Sequence, residues 1–129
     1  MNAFKGTRAV AIFTKTYGTI TVRVRVLASV DAVNREWVIG GRPRQTGRTV
    51  HAFFQPDLSP LAKTAGTIVI PAAGKLAELV PHEVTHAVLN YSKRPSSRYH
   101  DEEYLATAVG QLTARIFRQL ARRGIEVTP

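Results

Sequence analysis

Two of the four histidines in this 129-residue chain stand four residues apart, in His82-Glu83-Val84-Thr85-His86. On a helix that spacing puts two imidazoles one turn apart on the same face. Both ring nitrogens can then reach one zinc ion, Zn2+, and Glu83 can hold a water at that ion and accept its proton. Leu79 and Val80 before the pair, and Ala87, Val88 and Leu89 after it, fit a helix. Pro81 is expected in the first turn, where its missing N–H costs nothing.

A two-histidine zinc site needs a third protein ligand. Leu105, Val109, Leu112, Ile116 and Leu120 recur at helical spacing, so roughly 101–123 is expected to be an amphipathic helix. Glu103, Ala106, Thr107, Gly110 and Ala114 form an adjacent stripe of one acid and small side chains. Small residues let another helix approach closely, which a glutamate needs if it is to reach a metal held by that neighbour. This favours Glu103 as the third ligand. Glu102, nearer the centre of the apolar stripe, is the rival.

The chain here resembles the gluzincin metallopeptidases, the thermolysin-like branch of the zincins. Their third ligand follows the pattern Glu-x-x-(Ser/Ala)-x-x-x-Gly on the helix after the active-site helix, and Glu103-Tyr-Leu-Ala106-Thr-Ala-Val-Gly110 matches it. The resemblance extends over about residues 66–118, and reaches the small zincin-like proteins of phages and prophages. It implies a zincin-like fold with His82, His86 and Glu103 as metal ligands and Glu83 as catalytic base. One departure stands out: Thr107 occupies the place of an aspartate in thermolysin-like enzymes, so the group that would orient a ligand histidine is unassigned. The family also places an edge strand beside its cleft to pair with an extended substrate. Gly66–Pro71 precedes the motif helix in a comparable position, and is read either as that strand or as an ordinary core strand.

Length sets one domain, 1–129, large enough for a hydrophobic core. With 44% apolar and 21% charged residues the composition is that of a globular protein. No apolar run approaches a membrane span, and no sustained apolar segment near the start suggests a secretory signal. The absence of cysteine excludes disulfides and thiolate metal ligands, and fits a cytoplasmic protein, in the host cytoplasm if phage-encoded. A net charge of +9 would attract nucleic acid, an anionic membrane surface or an acidic protein partner. No aromatic residues interleave regularly with the basic ones, as a stacking platform for bases would require.

Along the chain, Ala9–Phe13 reads as a first strand and Tyr17-Gly18 as a turn. Ile20, Val22, Val24 and Val26 alternate with Thr21, Arg23 and Arg25, the pattern of a half-buried strand with a basic outer face. Residues 28–36 suit a short helix or a turn, with Asp31 as a possible cap, and Trp37–Ile39 a further strand. Residues 40–48 read as a Gly- and Arg-rich loop, and Thr49–Gln55 as a strand on which His51 is exposed. Gly66–Pro71 is the last strand, and Lys93–His100 a basic connector between two helices. The expected architecture is α+β, with a β-rich N-terminal half packed on an active-site helix and a C-terminal helix.

Zinc-dependent hydrolysis of a peptide or protein substrate is therefore the expected activity, with Tyr99, His100 or Tyr104 as candidate stabilisers of the transition state. The alternative is a catalytically inactive zincin-like protein that binds a protein partner or nucleic acid.

Overall fold

The computed structural model describes residues 8–39, 49–59, 61–94 and 101–127. It is an α+β structure with the element order β1 (Ala9–Tyr17), β2 (Ile20–Leu27), α1 (Val30–Ile39), β3 (Phe53–Pro56), β4 (Gly66–Pro71), α2 (Leu76–Ser92) and α3 (Glu102–Arg122). The loop expected at 40–48 and most of the connector before α3 lie outside the described residues.

Strong alternation makes β2 the spine of the sheet. Ile20, Val22, Val24 and Val26 are fully buried on one face, each worth about 1.5–3 kcal/mol relative to an exposed side chain. A hairpin at Gly18, whose φ of 58° suits glycine, joins β2 to an antiparallel β1. On its other side β2 pairs in parallel with β4, and β4 pairs antiparallel with β3, giving the order β1-β2-β4-β3. Gly66–Pro71 is thus an interior strand, and the free edge beside the motif helix belongs to β3.

The two faces of the sheet are covered by different elements. α2 and α3 pack on the face carrying Val22, Val24, Ile68 and Ile70, where Val84, Val88, Leu112 and Ile116 complete the main core. The opposite face carries Leu27, Phe53 and Val69 and is covered by Ala32 and Val33 of α1.

This second layer corrects two expectations. Trp37–Ile39 is the last turn of α1 rather than a strand; Trp37 packs edge-on against Phe53, their centroids 5.2 Å apart, which helical continuation from Val33 allows. Nor is the outer face of β2 simply basic and solvated. Arg25 is buried under α1, where its guanidinium donates to the Glu36 carboxylate in a buried ion pair. The helix cap is Ser29, whose hydroxyl accepts from the Ala32 N–H at 3.2 Å, while Asp31 sits exposed in the first turn.

A candidate metal centre on helix α2

Helix α2 starts at Leu76, several residues earlier than Pro81 would suggest, because Leu76 and Val80 are both fully buried. Proline therefore sits inside the helix and removes one intrahelical bond, a cost that burial of the apolar face offsets. The Thr85 hydroxyl donates to the Pro81 carbonyl at 2.7 Å, adding a partner in that turn. At the far end Arg94 donates to the carbonyls of Ala62 and Thr64, each at 3.0 Å, tying the helix terminus to the loop that feeds β4.

On this frame the motif divides between two environments. Val84, Ala87 and Val88 point into the core, whereas His82 and His86 are exposed on the opposite side. Their Nε2 atoms lie 3.2 Å apart and their rings are inclined at 76°. Two nitrogens bound to one tetrahedral zinc at about 2.0–2.1 Å stand about 3.3–3.4 Å from each other. The observed separation matches that requirement, and would equally serve a hydrogen bond between neutral rings. As ligands of one ion the two nitrogens would address a common point.

Glu83 occupies the boundary between core and cleft. It is only 5% exposed, and one carboxylate oxygen lies 4.0 Å from His82 Nε2. Burial pushes its carboxyl above the ordinary carboxylate range, a rise partly opposed by the nearby His82 and His86 rings. A carboxylate so placed is a better proton acceptor near neutral pH than a solvated one. Together His82, Glu83 and His86 form a group that could hold a metal ion; no other such group of three occurs among the described residues.

An open cleft runs along this face of α2. Leu79, His82, Glu83 and His86 form one wall, and His51, Ala52 and Phe54 of the β3 region form the other. No residue of α3 lines it. His51 is exposed, as expected, but it precedes the strand rather than lying on it, because the strand expected at Thr49–Gln55 begins only at Phe53; the pairing of β3 with β4 brings it to the cleft rim.

Glu103 and Glu102 are both exposed in the first turn of α3, and neither joins the His-Glu-His group. The small-residue stripe expected to receive a neighbouring helix faces solvent instead: Ala106, Gly110 and Ala114 are exposed, and a side chain at Gly110 would meet nothing within 4 Å. α3 packs on the core through Ala108, Leu112, Ile116 and Leu120, and this rotation leaves the stripe outside. Tyr104 is likewise turned away from the cleft. Its ring packs on Tyr17 at 5.6 Å and its hydroxyl accepts from the Thr19 N–H at 3.5 Å, so it seals the β1–β2 hairpin. Tyr99 and His100 lie outside the described residues.

Comparison with models of known protein families, with curated proteins and with solved structures returned no match.

Proposed function

We propose that the protein is a zinc-dependent metallopeptidase of the zincin type. The observation that carries this reading is the convergence of two exposed imidazole nitrogens, 3.2 Å apart, beside a buried carboxyl at the side of an open cleft. Imidazole nitrogens with carboxylate support suit zinc better than hard cations, which prefer all-oxygen sites. A bound divalent ion supplies Lewis acidity towards water and the scissile carbonyl. His82 and His86 would hold it through their ring nitrogens. Glu83 takes the proton of the attacking water on its carboxylate and returns it to the leaving amine. The free edge of β3 offers backbone groups to an extended substrate chain. Glu103 enters as third ligand on the gluzincin resemblance alone.

A second reading, a non-catalytic protein that binds a partner, is favoured by one observation: Glu103 stands apart from the imidazoles. Incubating the zinc-loaded protein with a mixed peptide library, beside a Glu83→Gln control, separates the two. New peptide termini produced by the wild type and absent with Glu83→Gln support the peptidase. No cleavage by a wild type that holds one equivalent of zinc excludes it.

A further inference from the structure

Helix α3 carries a second feature that the cleft does not use. Arg115, Arg118 and Arg122 follow one another at i, i+3 and i+7, so they share one stripe on the helix. That stripe borders β1. Arg115 donates to the Thr16 carbonyl and lies 5.5 Å from the Tyr17 ring centroid. Arg123, one residue past the helix end, lies 5.7 Å from the Phe13 centroid. Lys15 projects on the same face of β1 as Phe13 and Tyr17, by strand alternation. Aromatic rings thus hold two guanidinium groups in place, while Arg118 and Arg122 are exposed.

The charge of this region is unbalanced. Residues 1–30 contain no acid, and none occurs between Glu103 and Glu126. Among the described residues no carboxylate pairs with Lys15, Arg115, Arg118, Arg122 or Arg123. Attraction to the helix C-terminus accounts for cations in the last turn, but not for Arg115 and Arg118 further back. From these observations we infer that the Arg115–Arg118–Arg122 stripe, with Arg123 and Lys15, is a docking surface for the phosphate backbone of nucleic acid.

The dimensions agree. Seven residues of helix span about 10 Å, the axial rise of about three phosphates on one strand of a duplex. An anionic membrane fits less well. An interfacial helix needs large apolar side chains facing outward, whereas Leu112, Ile116 and Leu120 are fully buried and the outer face is Ala106, Gly110 and Ala114. The sheet order puts β1 and β3 at opposite edges, so the stripe and the metal cleft are separate surfaces. The inference therefore does not depend on the metal reading.

Fluorescence anisotropy of the full chain with a labelled 20-base-pair duplex tests it. Four to five phosphate contacts give a slope of log affinity against log salt of about −4, and a weakening of about 250-fold between 50 and 200 mM salt. Arg118→Gln with Arg122→Gln is expected to reduce affinity at least tenfold and flatten the slope by about two. Arg118→Lys with Arg122→Lys keeps the charge and most of the binding. Arg35→Gln with Lys63→Gln removes as much charge elsewhere and is expected to cost less than threefold. His86→Ala binds like the wild type. The inference is overturned if the duplex does not bind at 50 mM salt, or if the Arg35/Lys63 pair costs as much as the Arg118/Arg122 pair. It also fails if polyglutamate, or vesicles containing anionic lipid, displace the duplex as effectively as unlabelled DNA.

Discussion

Helix α2 and the first turn of α3 were each expected to supply part of one metal site, and the structure treats them differently. On α2 the two imidazoles meet at 3.2 Å with Glu83 buried beside them. On α3 Glu103 is exposed, on a stripe that no other element covers among the described residues. The difference lies in what fixes each position. The α2 pair is set by helical pitch, which operates within five residues. A carboxylate from another helix is set by how that helix rolls about its axis as it packs. Leu112, Ile116 and Leu120 decide that roll by burying completely, and Glu103 goes where they send it.

The largest expected effect sharpens the α2 side. Glu83→Gln should lower peptide hydrolysis by about 10²–10⁴-fold, the usual contribution of a positioned base, with zinc content unchanged. In the wild type the same residue should set the acid limb of the pH–rate profile. Glu83→Gln should remove that limb from whatever activity remains, and a limb unchanged in the variant would break the assignment.

A smaller effect addresses the α3 side directly. If Glu103 ligates the ion, Glu103→Ala should weaken zinc binding at least tenfold while Glu102→Ala leaves it unaltered. Competition with a metal-sensitive dye reads both, and equal, negligible effects would remove α3 from the site.

Stability of the metal-free protein gives a third contrast. The raised carboxyl of Glu83 means the folded state binds its proton more tightly than the unfolded chain does. Its penalty is therefore full above the folded-state value and disappears as pH falls below the ordinary carboxylate range. Glu83→Gln should raise Tm at neutral pH, with the gain fading in acid; a loss of Tm at pH 7 would contradict the burial argument.

The smallest effect concerns the exposed stripe. Gly110→Ala, in open space on a regular helix, should stabilise by about 0.5–1 kcal/mol in urea unfolding. Destabilisation would mean that another helix does approach there.

The sequence carried the local features well. The strict alternation of Ile20–Val26 marked β2, and the spacing of Leu105–Leu120 marked α3 to within a residue or two. The motif helix was equally clear, although Pro81 suggested a later start than the buried Leu76 and Val80 impose. What depended on tertiary contacts was not legible. Trp37–Ile39 looks like a strand because its residues favour one, yet it closes a helix that must cover Phe53 and Val69. Arg25 reads as a solvated charge until Glu36 is brought over it. Gly66–Pro71 has no signal to say whether it is an edge, and pairing on both sides made it interior. The cleft wall at His51 and Ala52 depends on the same pairing.

Zinc stoichiometry measured by elemental analysis on the purified protein, after exchange into buffer holding only a slight excess of zinc, tests the paired imidazoles most directly. The wild type should retain one equivalent, and folded His82→Ala and His86→Ala should each lose it. Retention of a full equivalent by either variant, or none by the wild type, would contradict a metal centre on α2.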